Sequence, residues 1–194
     1  EMAKNYSNIG NIYYNLSDYL VALSYFQKAL LLDEETDNKD GIAENLGSIG
    51  NIHNGLTNYK NALEYYDKAL KLHEETNNRR GVATVLSNIG IAYYDLKEYE
   101  KALTHYRKAL EIWQLFGNKF GIATNLGNIA NTYTNLFEYS KALDYYNRSL
   151  KIRRKIKDKK GIAGSLQNIG LNYQMQSNYP KALDYMFQSL KLQY

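Results

Sequence analysis

Apolar residues recur along the chain at spacings of three and four. Between 42 and 56, Ile42, Leu46, Ile49, His53 and Leu56 mark one face of a 3.6-residue period. After a break at Thr57-Asn58, the residues Tyr59, Ala62, Leu63, Tyr66, Ala69, Leu70 and Leu72 do the same. No stretch shows the strict alternation of a half-buried strand. The pattern predicts a pair of amphipathic helices, and the pair returns along the whole chain.

An offset of 40 residues aligns Gly41, Gly81, Gly121 and Gly161. Ile9, Ile49, Ile89, Ile129 and Ile169 form a second column, and Tyr19, Tyr59, Tyr99, Tyr139 and Tyr179 a third. Ala22 and Leu30 each head a five-member column of their own. Five copies therefore occupy 1–40, 41–80, 81–120, 121–160 and 161–194, the last one shorter. Ten helices in antiparallel pairs, stacked as an all-α solenoid, are expected, because one pair cannot bury its apolar face alone. The five copies are expected to form one array.

Punctuation supports these elements. Asn38, Asn78, Asn118 and Asp158 precede each first helix as candidate N-caps, and Asn58 and Asn178 precede second helices. Pro180 falls in the first turn of the last helix, where a missing N–H costs little. Glu64–Lys68 and Asp144–Arg148 are spaced as i,i+4 ion pairs. Gly10, Gly50, Gly90 and Gly170, with Ala130 in the fourth copy, are expected to let helices approach against Phe26, Tyr66 and their equivalents.

Composition narrows the function classes. With 13% aromatic residues and a net charge of +4 over 194 residues, the chain is not disordered. No apolar run reaches the ~20 residues of a membrane span and no signal-peptide core opens the chain, so a cytoplasmic location is expected. The absence of cysteine excludes disulfides, thiolate metal sites and cysteine nucleophiles. His53, His73 and His105 stand without partners at metal or catalytic spacing, and Gly47-Ser48-Ile49-Gly50 lacks the lysine of a phosphate loop. His53 takes a tyrosine's place in its column and reads as a packed residue. No enzyme, metal site or cofactor is expected.

Charge is uneven. Three basic residues against seven acidic give the first copy −4, and nine against three give the fourth +6. The excess sits in Lys151, Arg153, Arg154, Lys155, Lys157, Lys159 and Lys160, without interleaved aromatics for base stacking. A solvated face or a contact to an acidic partner is expected there rather than nucleic acid. The acidic end near Asp33, Glu34 and Glu35 is a candidate for meeting it head-to-tail.

The columns resemble the tetratricopeptide repeat, whose small and aromatic positions are matched by Leu46, Ile49, Gly50, His53, Ala62, Tyr66 and Ala69. The third copy matches as Leu86, Ile89, Gly90, Tyr93, Ala102, Tyr106 and Ala109. Ser149 and Ser189 depart from the third small position, and the family's late proline is missing. The 40-residue period exceeds the family's usual 34, and is similar to the long repeats of Pins/LGN scaffolds and kinesin light chains. Arrays fused to bacterial signalling enzymes also look similar. The resemblance implies binding of an extended or helical peptide in a concave groove lined by first helices, without catalysis. Carried over by column, the groove residues are Asn8, Asn88, Asn128 and Asn168, with Ser48, and Asn11, Asn51 and Asn131. A carboxamide pairs with a peptide N–H and C=O together, so these asparagines suit a ladder on a ligand backbone. Ties between helices are the competing role. The lysine clamp that the family uses for chaperone tails is not expected, because that face offers only Lys4.

The expected function is a protein-interaction scaffold with a protein or peptide partner. The alternative is the sensory or regulatory region of a larger signalling enzyme or transcription regulator. The chain reads as a segment of a larger protein, without an initiator methionine or a final capping helix. Tyr185, Met186 and Phe187, among Leu183 and Leu190, are therefore expected to leave apolar surface for self-association. One more break stands out. The mostly polar columns headed by Asp33, Glu35, Thr36 and Asp40 become Trp113, Leu115, Phe116 and Phe120 in the third copy. Their polar neighbours place this turn in water, so the four residues are expected to form either a secondary docking patch or extra core.

Overall fold

A computed structural model of the protein describes residues 1–192, in which there are ten helices and no strand. They are α1 (Met2–Asn15), α2 (Tyr19–Glu35), α3 (Lys39–Gly55), α4 (Tyr59–Glu75), α5 (Arg79–Asp95), α6 (Tyr99–Leu115), α7 (Lys119–Asn135), α8 (Tyr139–Lys155), α9 (Lys159–Met175) and α10 (Tyr179–Leu190). None is long and apolar enough to cross a membrane. The fold is an all-α solenoid of helix pairs. Helices α2 to α9 are each 17 residues long, separated by three-residue turns. The residues beyond the usual repeat length therefore lengthen both helices of a pair.

The nine turns are built alike. At the α3–α4 turn the Thr57 amide donates to the Asn54 carbonyl (2.9 Å) and the Asn58 amide reaches back to the His53 carbonyl (2.8 Å). These two bonds define a Schellman motif, which places one residue in the left-handed region. That residue recurs every twenty positions: Ser17, Asp37, Thr57, Asn77, Lys97, Gly117, Phe137, Lys157 and Ser177, all with φ between 50° and 63°. Each first helix from α3 onward then starts on a side-chain cap. Gly41, Gly81, Gly121 and Gly161 amides donate to the side chains of Asn38, Asn78, Asn118 and Asp158, as the sequence predicts. Asn178 caps α10, but the Asn58 side chain makes no cap bond. Asp144 and Arg148 pair at 3.5 Å. Among the described residues Glu64 and Lys68 form no ion pair; instead the Lys68 ammonium lies 5.4 Å from the Tyr65 ring centroid.

Contacts divide the chain into two units, one of residues 1–98 and one from Tyr99 onward. In the first, α1 to α5 pack in sequence order, and the first helices of successive pairs also touch, α1 on α3 and α3 on α5. Its core holds Leu46, Ala62, Tyr66, Ala69, Val85 and Ile89. In the second, α6 to α10 pack in order and α7 touches α9; Tyr106, Leu126, Ile129, Tyr146 and Ile169 are buried. Within each unit this arrangement leaves a layer of first helices. The small-residue columns act as expected. A Cβ on Gly50 would lie 2.6 Å from the Tyr66 ring, and one on Gly10 3.0 Å from Phe26.

The glycine column that marks the repeat has a second duty. Gly41, Gly81, Gly121 and Gly161 leave the space taken by the side chains of Asp33, His73, Trp113 and Arg153, each two residues before the end of the preceding second helix. The polar members of this column do not face water, contrary to the sequence expectation: Asp33 is 6% exposed and His73 3%. Asp33 remains buried because Asn38 and Asn45 each donate to its carboxylate at 2.8 Å. Trp113 is half-buried over Gly121, whereas Leu115, Phe116 and Phe120 are exposed. On α10, Tyr185 stacks on Tyr173 at 5.6 Å and Met186 packs against Gly170, so neither joins the exposed Leu183, Phe187 and Leu190.

Candidate functional site

Each unit carries a cleft between two successive first helices. In the first unit it lies between α3 and α5 and has a volume of about 490 Å³. Glu44, Ser48 and Asn51 of α3 line it with Thr84 and Asn88 of α5, and His73 and Arg80 lie at one end. In the second unit the cleft lies between α7 and α9 and has about 210 Å³. Thr124, Asn128 and Asn131 line it with Ser165 and Asn168, and α8 contributes Tyr146 and Arg153.

The two clefts share a hydrogen-bonded lock. Asn51 Oδ1 accepts from Tyr66 Oη at 2.8 Å and from Asn88 Nδ2 at 2.9 Å. Eighty residues on, Asn131 Oδ1 accepts from Tyr146 Oη at 2.6 Å and from Asn168 Nδ2 at 3.2 Å. Burial pushes the Tyr66 phenol up, so it stays protonated and remains a donor at neutral pH. With its oxygen held by two donors, each central carboxamide is fixed in orientation, and its own Nδ2 has no partner among the described residues. Asn88 and Asn168 likewise keep free carbonyl oxygens. Asn128 makes no side-chain hydrogen bond at all within the described residues. On the α3 wall, desolvation with the Asp40 and Asp33 carboxylates pushes the Glu44 carboxyl up, and Lys4 opposes them.

The expected site residues are thus distributed in three groups. Asn51 and Asn88 meet in one cleft; Asn128, Asn131 and Asn168 meet in the other. Asn8 and Asn11 are exposed on α1 and join neither. Ties between helices and open carboxamide groups, posed as competing roles by the sequence, occur in the same side chains. Two kinds of site residue escaped the sequence reading. The tyrosine that holds each lock lies fifteen positions after its asparagine, and only the second and fourth copies keep both. Ile91 and Phe26 break the pair in the third and first, and that co-occurrence was the available signal. Gly47 and Gly164 also line the clefts, yet a Cβ on either would meet no atom within 4 Å. No intramolecular packing requires glycine there.

A family model described as tetratricopeptide repeat matches the chain at residues 1–75, 41–115, 81–155 and 121–193. No curated protein sequence matches significantly. Among solved structures, BtubC (BKLC) from P. vanneervenii superposes with a TM-score of 0.84 at 20% identity, over 98% of this chain and 79% of that one. A Rap protein complexed with competence and sporulation factor gives 0.87 at 19% identity, over 96% of this chain and 52% of that one. A kinesin-light-chain-like array of nearly identical repeats from Podosopora anserina gives 0.77 at 11% identity, over 98% and 93%. At these identities the likeness is one of fold.

Proposed function

The chain belongs to the tetratricopeptide-repeat family, and from that premise we propose that it is an interaction scaffold whose α3–α5 and α7–α9 clefts each bind an extended segment of a partner protein. The asparagine lock carries this reading. A buried tyrosine and a neighbouring asparagine fix the Asn51 and Asn131 carboxamides while leaving their N–H donors unpaired at a cleft wall. Donors and carbonyl oxygens held in this way match the alternating N–H and C=O of an extended backbone, and their fixed orientation lowers the ordering cost of binding. Gly47 and Gly164 support it too. Glycine inside a helix costs roughly 1 kcal/mol relative to alanine, and here the open wall it leaves lets a ligand backbone come close. A Rap protein of like fold forms a complex with competence and sporulation factor, which is consistent with a binding role for this fold.

A displayed library of random twelve-residue peptides, selected on the full chain, tests the proposal. Asn88→Ala combined with Asn128→Ala removes one carboxamide from each cleft, and Asn128 has no intramolecular bond to lose. At ~0.5–1.5 kcal/mol net for each hydrogen bond lost, a selected peptide should bind about tenfold more weakly, while the fold loses only the bond from Asn88 to Asn51 and keeps its cooperative transition. Equal affinity for the double variant would overturn the cleft reading.

A further inference from the structure

The two clefts share a lock but differ in charge. The α3–α5 cleft has Glu44 on its wall and the neighbouring His73 and Arg80 at its end. In the α7–α9 cleft Thr124 stands at the place of Glu44 and Gly164 at that of Thr84, and Arg153 is the single charged residue among the described residues that line it. Arg153 reaches the cleft from α8, a second helix, and not from the first-helix face where the family places its lysine clamp. Its side chain is 16% exposed. The guanidinium is oriented by the protein: Nη1 donates to Asp158 Oδ2 at 2.6 Å and Nε to Ser149 Oγ at 3.3 Å, with Gly161 packed against it. Asp158 spends its other oxygen on the Gly161 amide, at 2.9 Å, and does not line the cleft.

We propose that Arg153 makes the α7–α9 cleft select an acidic side chain, aspartate or glutamate, in the bound segment. The inference rests on the cleft reading above and deepens it. A guanidinium has five N–H donors, of which the protein uses two here, so three remain for an incoming carboxylate. Such charge-assisted bonds are among the stronger ones available. The pairing with Asp158 leaves the local charge balanced, but Lys151, Arg154, Lys155, Lys157, Lys159 and Lys160 surround it in sequence without another acid to offset them. The resulting field favours an anion on approach and in place. The column that Arg153 occupies thereby becomes a determinant of specificity: the residue accommodated by the repeat's marker glycine sets the charge at the end of each cleft, Arg153 over Gly161 and His73 over Gly81.

Peptides selected from the random library on the full chain are the probe, read for residue preference at each position. Wild-type protein should enrich an acidic residue at one fixed position relative to the asparagine contacts. Replacing that residue by its amide should cost about tenfold in affinity for the wild type and less than twofold for Arg153→Gln. Asp158→Asn is the second variant, because asparagine already caps the equivalent glycine at 38, 78 and 118. It frees Arg153 of its carboxylate and should tighten the acidic peptide severalfold. Asparagine-dependent peptides that show no acidic position, or that bind Arg153→Gln and Asp158→Asn as they bind the wild type, would overturn the role of Arg153 and leave the clefts standing. Failure to obtain any asparagine-dependent peptide would overturn both.

Discussion

His73 shows how much one position at a helix end can carry. Its Nδ1 is buried against Gly81 and has no hydrogen-bond partner among the described residues. Burial pushes the imidazole below its ordinary range, and the Asp40 carboxylate opposes this. The folded state therefore prefers the neutral ring, while the unfolded chain takes up a proton near pH 6.5. Stability from this group is fully present above that value and is lost as the pH falls from it towards the lower folded value. We expect the urea midpoint to drop between pH 7.5 and pH 5, and to drop less in His73→Gln; equal slopes would remove His73 as the cause. The sequence showed the glycine at 81 as a marker of the repeat, and it showed His73 in a polar column. It did not show that the glycine makes room for the histidine. Polar identity was taken as exposure, but at this position a side chain points into the next pair, where Asp33 finds two amide donors and His73 none. Partners, which depend on three-dimensional neighbours, decide burial here, and a column of residue types does not contain them. The asparagines were legible only as residues of first helices: their columns placed them there, but contained neither the tyrosine hydroxyls and open glycines beside five of them nor the fact that Asn8 and Asn11 join neither cleft.

At the scale of helices and turns, a 40-residue sequence period hides a 20-residue backbone period. Helices of 17 residues alternate with Schellman turns, and every turn has one left-handed residue. The apolar columns and the caps made the helices and their order readable, down to Asn38 and its equivalents. The halves of each repeat were not readable as one geometry, because the motif is held by backbone N–H and C=O groups that any residue supplies. Thus Thr57, Lys97 and Phe137 occupy the place that glycine usually takes, and only Gly117 announces it. A β-branched residue there is strained, which gives a prediction of opposite signs. Thr57→Gly (φ 60°) relieves a cost of roughly 1–2 kcal/mol. Glycine's extra unfolded-state entropy returns part of that, so a net gain of about 0.5 kcal/mol is expected. Gly117→Ala, at φ 63°, should lose about 1 kcal/mol. Urea denaturation of the two variants measures both, and a destabilised Thr57→Gly would show that the threonine makes a compensating contact.

The molecule as a whole is a chain of local junctions, and its stability should be local in the same sense. In repeat proteins each element contacts its neighbours, so stability is close to a sum of intrinsic and nearest-neighbour terms. Here each of the two units buries a core of its own. Gly50 lies in the first, where a side chain would enter the Tyr66 ring and disturb the lock to Asn51. Trp113, the only tryptophan, lies in the second, half-buried over Gly121. The two positions therefore separate a perturbation from its reporter. Gly50→Leu should overpack its junction at a cost of ~1–3 kcal/mol or more. Circular dichroism, which sees helices of both units, should then show an earlier and broader urea transition than the wild type. Tryptophan fluorescence should keep its midpoint within about 0.2 M, since a midpoint moves with the stability of the unit that the probe reports. If the fluorescence midpoint moves as far as the dichroism midpoint, the array unfolds in one cooperative step, and a ligand in one cleft would then stabilise the other as well.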